Sequence, residues 1–345
     1  MIEIYEIDPL LDERWAPFLE NHSLATVFHS REWLCALNRT YRYRIAAFTT
    51  SGPSQPLTNA VVFCRVRSWL TGPRMVSVPF SDYCPPLVDS EEEFRSLLAP
   101  VKRACDGGLE RYLEIRSGTA EACGMAPSAS FCLHRIDLRP SESELLHALH
   151  GDCIRRKIAR AEREGVTYEE GTSEDLLRKF YELTMLTRRR HKLPPQPICW
   201  FRNLIASMGD KLKIRLASSR EGRPVAAILT IRFKATMTYK YGCSDSRFHK
   251  LGPMQLLLWR SIQEAKETGL LEFDLGRSDP ANEGLLTFKD RWGSKRSTLT
   301  YLRYPAPEAQ RVPGHVSLGV ARSLFGLAPD ALLRTAGNVL YPHVD

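Results

Sequence analysis

The chain has 345 residues, 43% hydrophobic and 26% charged, with nine cysteines and a formal net charge of +8. This is the composition of a globular chain long enough for two domains. No apolar run reaches the length of a transmembrane span, and Met1–Leu10 is acidic rather than basic and apolar, against a signal peptide. The cysteines form no C-x-x-C pair and their total is odd, which argues against a disulfide framework or a zinc site and for a reducing cytoplasm. The positive charge asks for an anionic partner: a phosphorylated substrate, RNA or a membrane face.

In chain order, Ile2–Ile7 alternates as an edge strand, and Asp8-Pro9 opens a helix to about Glu20. Ser30 caps a second helix in which Trp33, Leu34 and Leu37 share a face. Strands are expected at 44–49, 59–66 and 74–79. The turn-rich Pro79–Leu87 follows, then a helix at 91–105 and strands at 110–116 and 131–138. The second half repeats the order, with helices at 173–191 and 198–208 and strands at 212–219, 224–234 and 237–243. A helix at 253–268 and strands at 270–275 and 297–304 complete it. The repeated order predicts a duplication of mixed α/β sheets divided at Pro140: domains 1–139 and 140–305, with a cleft between them. Residues 306–345 form a tail of two amphipathic helices, 316–327 and 329–340, that docks on its own protein, a partner or a membrane surface.

Three stretches carry charge in patterns that suit chemistry. Asp152–Val166 reads as a short helix with Ile154, Ile158 and Ala161 on one stripe and Arg156, Lys157, Arg160 and Arg163 outward. It is either a solvated face or a phosphate grip. Arg188–Lys192 ends a helix in five basic groups before a proline-rich loop, and His191 is its candidate for substrate contact. Third, Leu270–Leu275 and Thr298–Tyr304 read as strands that hold a charge-dense loop anchored by Leu286, Phe288 and Trp292.

The pattern Phe273-Asp-x-Gly-Arg-Ser-Asp279, then Gly284-Leu-x-x-Phe-Lys289-x-x-Trp-Gly293 and a strand with Tyr301, resembles the Fem-type peptidyltransferases. These belong to the Gcn5-related N-acyltransferase (GNAT) fold. The resemblance implies tandem GNAT-like domains and transfer of an acyl or aminoacyl group to an amine, directly and with no protein nucleophile. The donor would be acyl-CoA or aminoacyl-tRNA as a co-substrate, with no tightly bound cofactor and no metal. The acceptor would be an anionic small molecule or a lipid-linked saccharide of cell-envelope or polysaccharide synthesis, met in the cytoplasm or at the inner membrane face.

The resemblance also implies residue roles. Phe288 and Lys289 would stand beside the reacting carbonyl, Lys289 stabilising the oxyanion. Asp82, in Phe80-Ser-Asp-Tyr83, would face the acceptor, although a turn-capping aspartate reads the same way. Tyr239, Tyr241 and Arg277 are further substrate-contact candidates. The strand of Tyr239–Asp245 would splay from its neighbour to admit the donor. Lys250, Gly252 and Met254, in the turn that opens the next helix, would hold the donor's phosphates, although His249 and Met254 depart from the CoA-binding signature. Cys243 has no telling histidine and is set aside. The rival reading is a non-catalytic binder of phosphosugar or RNA on a transferase scaffold, gripping through 152–166.

Overall fold

A computed structural model describes residues 3–116, 124–306 and 328–343. The chain divides into two compact units. The first is Met1–Phe131 with Thr298–Arg311 and Asn338–Asp345; the second is Cys132–Ser297 with Val312–Gly337.

The first unit is built on β1 (Tyr5–Ile7), β2 (Arg44–Thr49), β3 (Val61–Val66), β4 (Arg74–Val76) and β5 (Tyr112–Arg116). Neighbours are antiparallel except β4 and β5, which run parallel. Helix α1 (Trp15–Asn21) starts later than its sequence suggests. Asp8 and Asp12 spend their carboxylates on local turns instead, accepting the N–H groups of Leu10 at 2.8 Å and Arg14 at 3.0 Å. Helix α2 (Arg31–Tyr41) is capped as expected, Ser30 accepting the Trp33 N–H, and it buries Trp33, Leu34 and Leu37. Helix α3 (Glu91–Asp106) seals its own core with Phe94, Leu97, Leu98 and Val101 against Phe63, Leu113 and Leu302. Strand β4 stops at Val76 because Val78 and Phe80 both take left-handed backbone, each at φ 61°.

The second unit repeats the plan with β7 (Thr167–Gly171), β8 (Leu212–Ser218), β9 (Pro224–Phe233), β10 (Thr236–Ser244) and β11 (Glu272–Ser278). Again all neighbours are antiparallel except one pair, β10 and β11. Strand β7 is an addition to the sequence reading; its Glu169 and Glu170 hide the alternation at an exposed edge. Helices α6 (Glu174–Arg190) and α7 (Ile198–Met208) pack on one another through Phe180 and Phe201, ring centroids 5.2 Å apart. Helix α4 (Glu142–Ala148), a π turn (Gly151–Arg155), α5 (Arg156–Arg163) and α8 (Pro253–Glu267) supply another core, in which Ile154, Ile158, Leu257, Ile262 and Phe273 meet.

The sixth strand of each sheet comes from the other repeat. Strand β6 (Ala126–Asp137), last in the first repeat, pairs antiparallel with β11 through Glu272↔Asp137 and Arg277↔Leu133. Strand β12 (Lys295–Tyr304), last in the second, pairs antiparallel with β5 through Tyr301↔Arg116 and Tyr304↔Leu113. Between β11 and β12, where the sequence suggested a charged loop, α9 (Glu283–Asp290) forms, with the Asn282 side chain accepting the Leu285 N–H at 3.1 Å.

In the tail, α10 (Asp330–Leu340) forms as expected, and the helix expected at 316–327 lies outside the described residues. Leu333 is buried, and Arg189 donates to the Ala328 carbonyl at 3.1 Å. In the first unit the Tyr43 hydroxyl donates to the Pro342 carbonyl at 3.1 Å. No described helix is long and apolar enough to cross a membrane.

Candidate active site

The parallel pair β10 and β11 opens part-way along. Their pairing runs Thr236↔Glu272, Met237↔Phe273 and Thr238↔Asp274 and then ends, although β10 continues to Ser244 and β11 to Ser278. Beyond that point β11 bulges and keeps only its pairing with β6, while β10 stays with β9. Two parted strands leave backbone groups that need other partners. Lys289 meets part of that need: it is buried at 2% exposure and donates to the Gly276 carbonyl at 2.7 Å and the Arg277 carbonyl at 3.1 Å. The Asp274 carboxylate accepts the Gly276 N–H at 2.7 Å and braces the same arm. Phe288 lies half-buried on α9, edge-on to Trp292 at 6.2 Å.

A second bulge, in β10, re-aims its tyrosines. Strict alternation would put Tyr239 and Tyr241 on one face. The register instead slips between Tyr239↔Thr230 and Tyr241↔Leu229, so the two point to opposite sides. Tyr239 packs with the α5 and α8 core, and its hydroxyl fills the space where a Cβ on Gly242 would stand. The open space at this glycine is thus taken by the tyrosine. Burial raises the Tyr239 pKa above its ordinary value. Tyr241 faces α7, its hydroxyl accepting the Trp200 indole N–H at 2.9 Å and its ring edge-on to Phe201.

Beside Tyr241 is a small polar pocket of about 270 Å³, lined by Arg188, His191, Gln196, Lys240 and the Gly242–Cys243 stretch of β10 among others. No carboxylate lines it. Partial burial, with Arg190 and Arg188 nearby, lowers the His191 pKa, so the ring is neutral at pH 7. Burial pushes the Cys243 thiol up to about 12, and it hydrogen-bonds the Phe180 and Ala227 carbonyls; it is no nucleophile. Arg188 opens the basic run legible in the sequence, whereas nothing in the sequence marks Lys240. Lys240 is the extra residue of the bulge, which no alternation pattern predicts.

The basic face of α5 and the turn before α8 meet in a groove of about 620 Å³. Arg156, Lys157, Arg160 and Arg163 line it with His249 and Lys250, and Asp152 is the acidic residue among its lining. Asp152 pairs with Arg156 at 3.2 Å, and Glu164 lies 3.7 Å from Arg160; both are exposed pairs that offset little of the charge. Gly252 makes the meeting possible. It has φ 75°, and a Cβ there would collide with the Lys157 carbonyl, so only glycine lets α5 lie this close. Met254 packs into the core instead of facing the groove. The structure thus gathers Arg156, Arg160 and Lys250 in one place and His191 and Tyr241 in another. Arg277 sits on the parted arm of β11.

Asp82 lies in the first unit, at 8% exposure, on the strained turn after β4. The corresponding gap there is stitched shut. Arg116, fully buried, donates to the Ser81 carbonyl at 3.0 Å and the Val78 carbonyl at 3.4 Å, and the Cys84 N–H bonds the Arg116 carbonyl at 2.6 Å. The Tyr301 hydroxyl from β12 donates to the Asp82 carbonyl at 2.7 Å. Among the described residues no cluster of metal-ligating side chains occurs.

Residues 152–290 match the family model described as an acetyltransferase (GNAT) domain. No curated protein sequence matches the chain. Among solved structures, the crystal structure of FemX superposes with a TM-score of 0.69 at 15% identity, over 88% of this chain and 97% of that one. A tandem GNAT protein from the clavulanic acid biosynthesis pathway gives a TM-score of 0.58 at 11% identity, over 87% and 97%. The C-terminal domain of a putative lysylphosphatidylglycerol synthetase from Agrobacterium fabrum gives 0.54 at 14%, over 92% and 96%. The tandem GNAT fold expected from the sequence is the fold observed.

Proposed function

We propose that this chain, a tandem GNAT fold with the GNAT domain match in its second unit, is an N-acyltransferase that moves an acyl or aminoacyl group from acyl-CoA or aminoacyl-tRNA to an amine. The observation that carries the reading is the early end of the β10–β11 pairing, flanked by the basic groove of α5 and Lys250. An open pair of strands receives an extended donor arm, and the groove supplies cations for its phosphates. The first unit has no such opening at β4–β5, so one donor site per chain is proposed.

The chemistry is a direct displacement. The acceptor nitrogen attacks the donor carbonyl, a C–N bond forms, and the C–S or C–O bond to the carrier breaks. The proton shed by nitrogen passes to a base, and the leaving thiolate or alkoxide takes one up. The Lys289 cation, fixed beside the parted arm of β11, stabilises the oxyanion that develops at the carbonyl, with Phe288 on the same helix lining the approach. The pocket of Arg188, His191 and Lys240 suits an anionic group on the acceptor, in keeping with an amino-sugar nucleotide or lipid-linked saccharide of envelope or polysaccharide synthesis.

Labelled acetyl-CoA and, separately, charged tRNA are offered with a panel of amino-sugar nucleotides and peptidoglycan precursors. Transfer of label from one donor is expected. In that reaction Arg156→Gln with Arg160→Gln should raise KM for the donor about tenfold and flatten its salt dependence while leaving kcat intact. No transfer from either donor to any acceptor, with the phosphosugar still bound, would instead establish the non-catalytic binder.

A further inference from the structure

One end of the first unit's sheet carries apolar tips in a basic surround. The loop between β3 and β4 holds Trp69, 72% exposed, and Leu70, 50% exposed; the loop before β5 holds Leu109, 70% exposed. Register brings the loops together, because β4 and β5 start side by side at Arg74↔Tyr112. Hydrogen bonds then tie them: the Arg67 guanidinium donates to the Leu109 carbonyl and the Arg111 guanidinium to the Thr71 carbonyl, both at 3.3 Å. Three large exposed apolar side chains on adjoining loop tips are an unusual concentration.

The charge at this end is positive. Strand β2 begins here, with Arg44 opposite Arg65 at the end of β3. Arg42, Arg44, Arg67 and Arg111 are all exposed. Among the described residues the neighbouring carboxylates include Glu6, shared by Arg44 and Arg65, Glu110, buried against Arg67, and the exposed Asp106, which accepts the Tyr304 hydroxyl at 2.7 Å. The strained turn of Asp82 follows the other end of β4.

We propose that this end of the first unit docks on an anionic lipid bilayer, with Trp69, Leu70 and Leu109 entering the interface and the arginines meeting lipid phosphates. Tryptophan suits that layer because its ring is apolar and its N–H polar; here the indole N–H already donates to His343 Nε2 at 2.8 Å. Leucines at two loop tips give insertion, and guanidinium groups give the preference for anionic lipid. A nucleic acid would satisfy the arginines but leave Leu70 and Leu109 in water. This surface shares no residue with the groove or the pocket of the second unit, so the inference stands whether or not transfer is found.

The chain contains its own probe, because Trp15, Trp33, Trp200, Trp259 and Trp292 are buried and Trp69 is not. The protein is mixed with vesicles of phosphatidylcholine, with and without about 30% phosphatidylglycerol. Sedimentation with the anionic vesicles is expected, with a blue shift of emission and loss of acrylamide quenching that Trp69→Phe abolishes. The triple variant Trp69→Ser, Leu70→Ser, Leu109→Ser should keep its circular dichroism and lose about tenfold or more in vesicle affinity. Arg44→Gln with Arg111→Gln should lose the preference for anionic lipid. Absence of sedimentation at low salt would overturn the proposal. So would undiminished binding by the triple variant, or binding in which the Trp69 emission stays that of water, because each would mean charge adsorption without insertion.

Discussion

Two buried side chains show how much depends on single groups. Lys289 is both the proposed oxyanion partner and the donor to two carbonyls of a parted strand. Lys289→Met leaves those carbonyls without a charged donor, which should lower unfolding free energy by about 2–3 kcal/mol. If the catalytic role holds, turnover falls a further two to three orders of magnitude, roughly 3–4 kcal/mol, with donor binding retained at a temperature where the variant is folded. Chemical denaturation and single-turnover kinetics separate the two effects, and a loss confined to stability would make Lys289 a clamp alone. His29 is the second. The Thr26 N–H donates to Nδ1 at 3.1 Å, so Nε2 holds the proton and donates to the Pro85 carbonyl at 2.9 Å. Burial holds its pKa at about 4 against an ordinary 6.5, and the unfolded chain therefore takes up a proton that the native chain refuses. Stability should fall as pH drops from 6.5 toward 4, by about 3 kcal/mol at most. Urea melts of His29→Gln should lack most of that slope; an unchanged slope would assign acid sensitivity to other groups.

At the scale of elements, the sequence disclosed periodic segments and concealed irregular ones. Strands β2, β3, β8 and β9 and helices α2, α3, α6 and α7 follow from alternation, apolar stripes and serine caps. Helix α9 stays hidden because its eight residues sit among charges and only Asn282 marks its start. Strand β4 ends before its sequence pattern does, because nothing in Val78 or Phe80 announces left-handed backbone. The site divides in the same way. The basic face of α5 is legible from spacing, whereas its approach to Lys250 over Gly252 and the sorting of Tyr239 from Tyr241 by a bulge are not. Deleting that bulge by removing Lys240 should put both rings on one side and disorder the pocket of His191. A loss of the Trp200–Tyr241 hydrogen bond, read by indole N–H chemical shift, checks it.

Over the whole molecule, the feature least visible in sequence is the exchange of sixth strands, since pairing partners so distant leave no local signature. Each repeat supplies five strands to its own sheet and one to the other. Cutting the chain at Pro140 should therefore not liberate two domains. The fragment 1–139 would lack β12 and expose the edge of β5, a template for aggregation. Its solubility should be recovered by co-expression with 140–345, not by altering conditions. A monodisperse, fully protected fragment 1–139 would show that β12 is dispensable.

The exchange also sets a schedule for synthesis. The second unit borrows β6, which is made before any of its other strands, so its sheet can close once Ser278 has emerged. The first unit borrows β12, which ends at Tyr304, so its sheet waits for almost all of the rest of the chain. The half that leaves the ribosome first is thus completed last, and until then the β5 edge and the turn bearing Asp82 lack the Tyr301 that holds them. Hydrogen exchange on nascent chains stalled with Ser278 emerged and β12 still in the ribosome should find the amides of β11 protected and those of β5 open, an inversion of chain order written into the path of two strands.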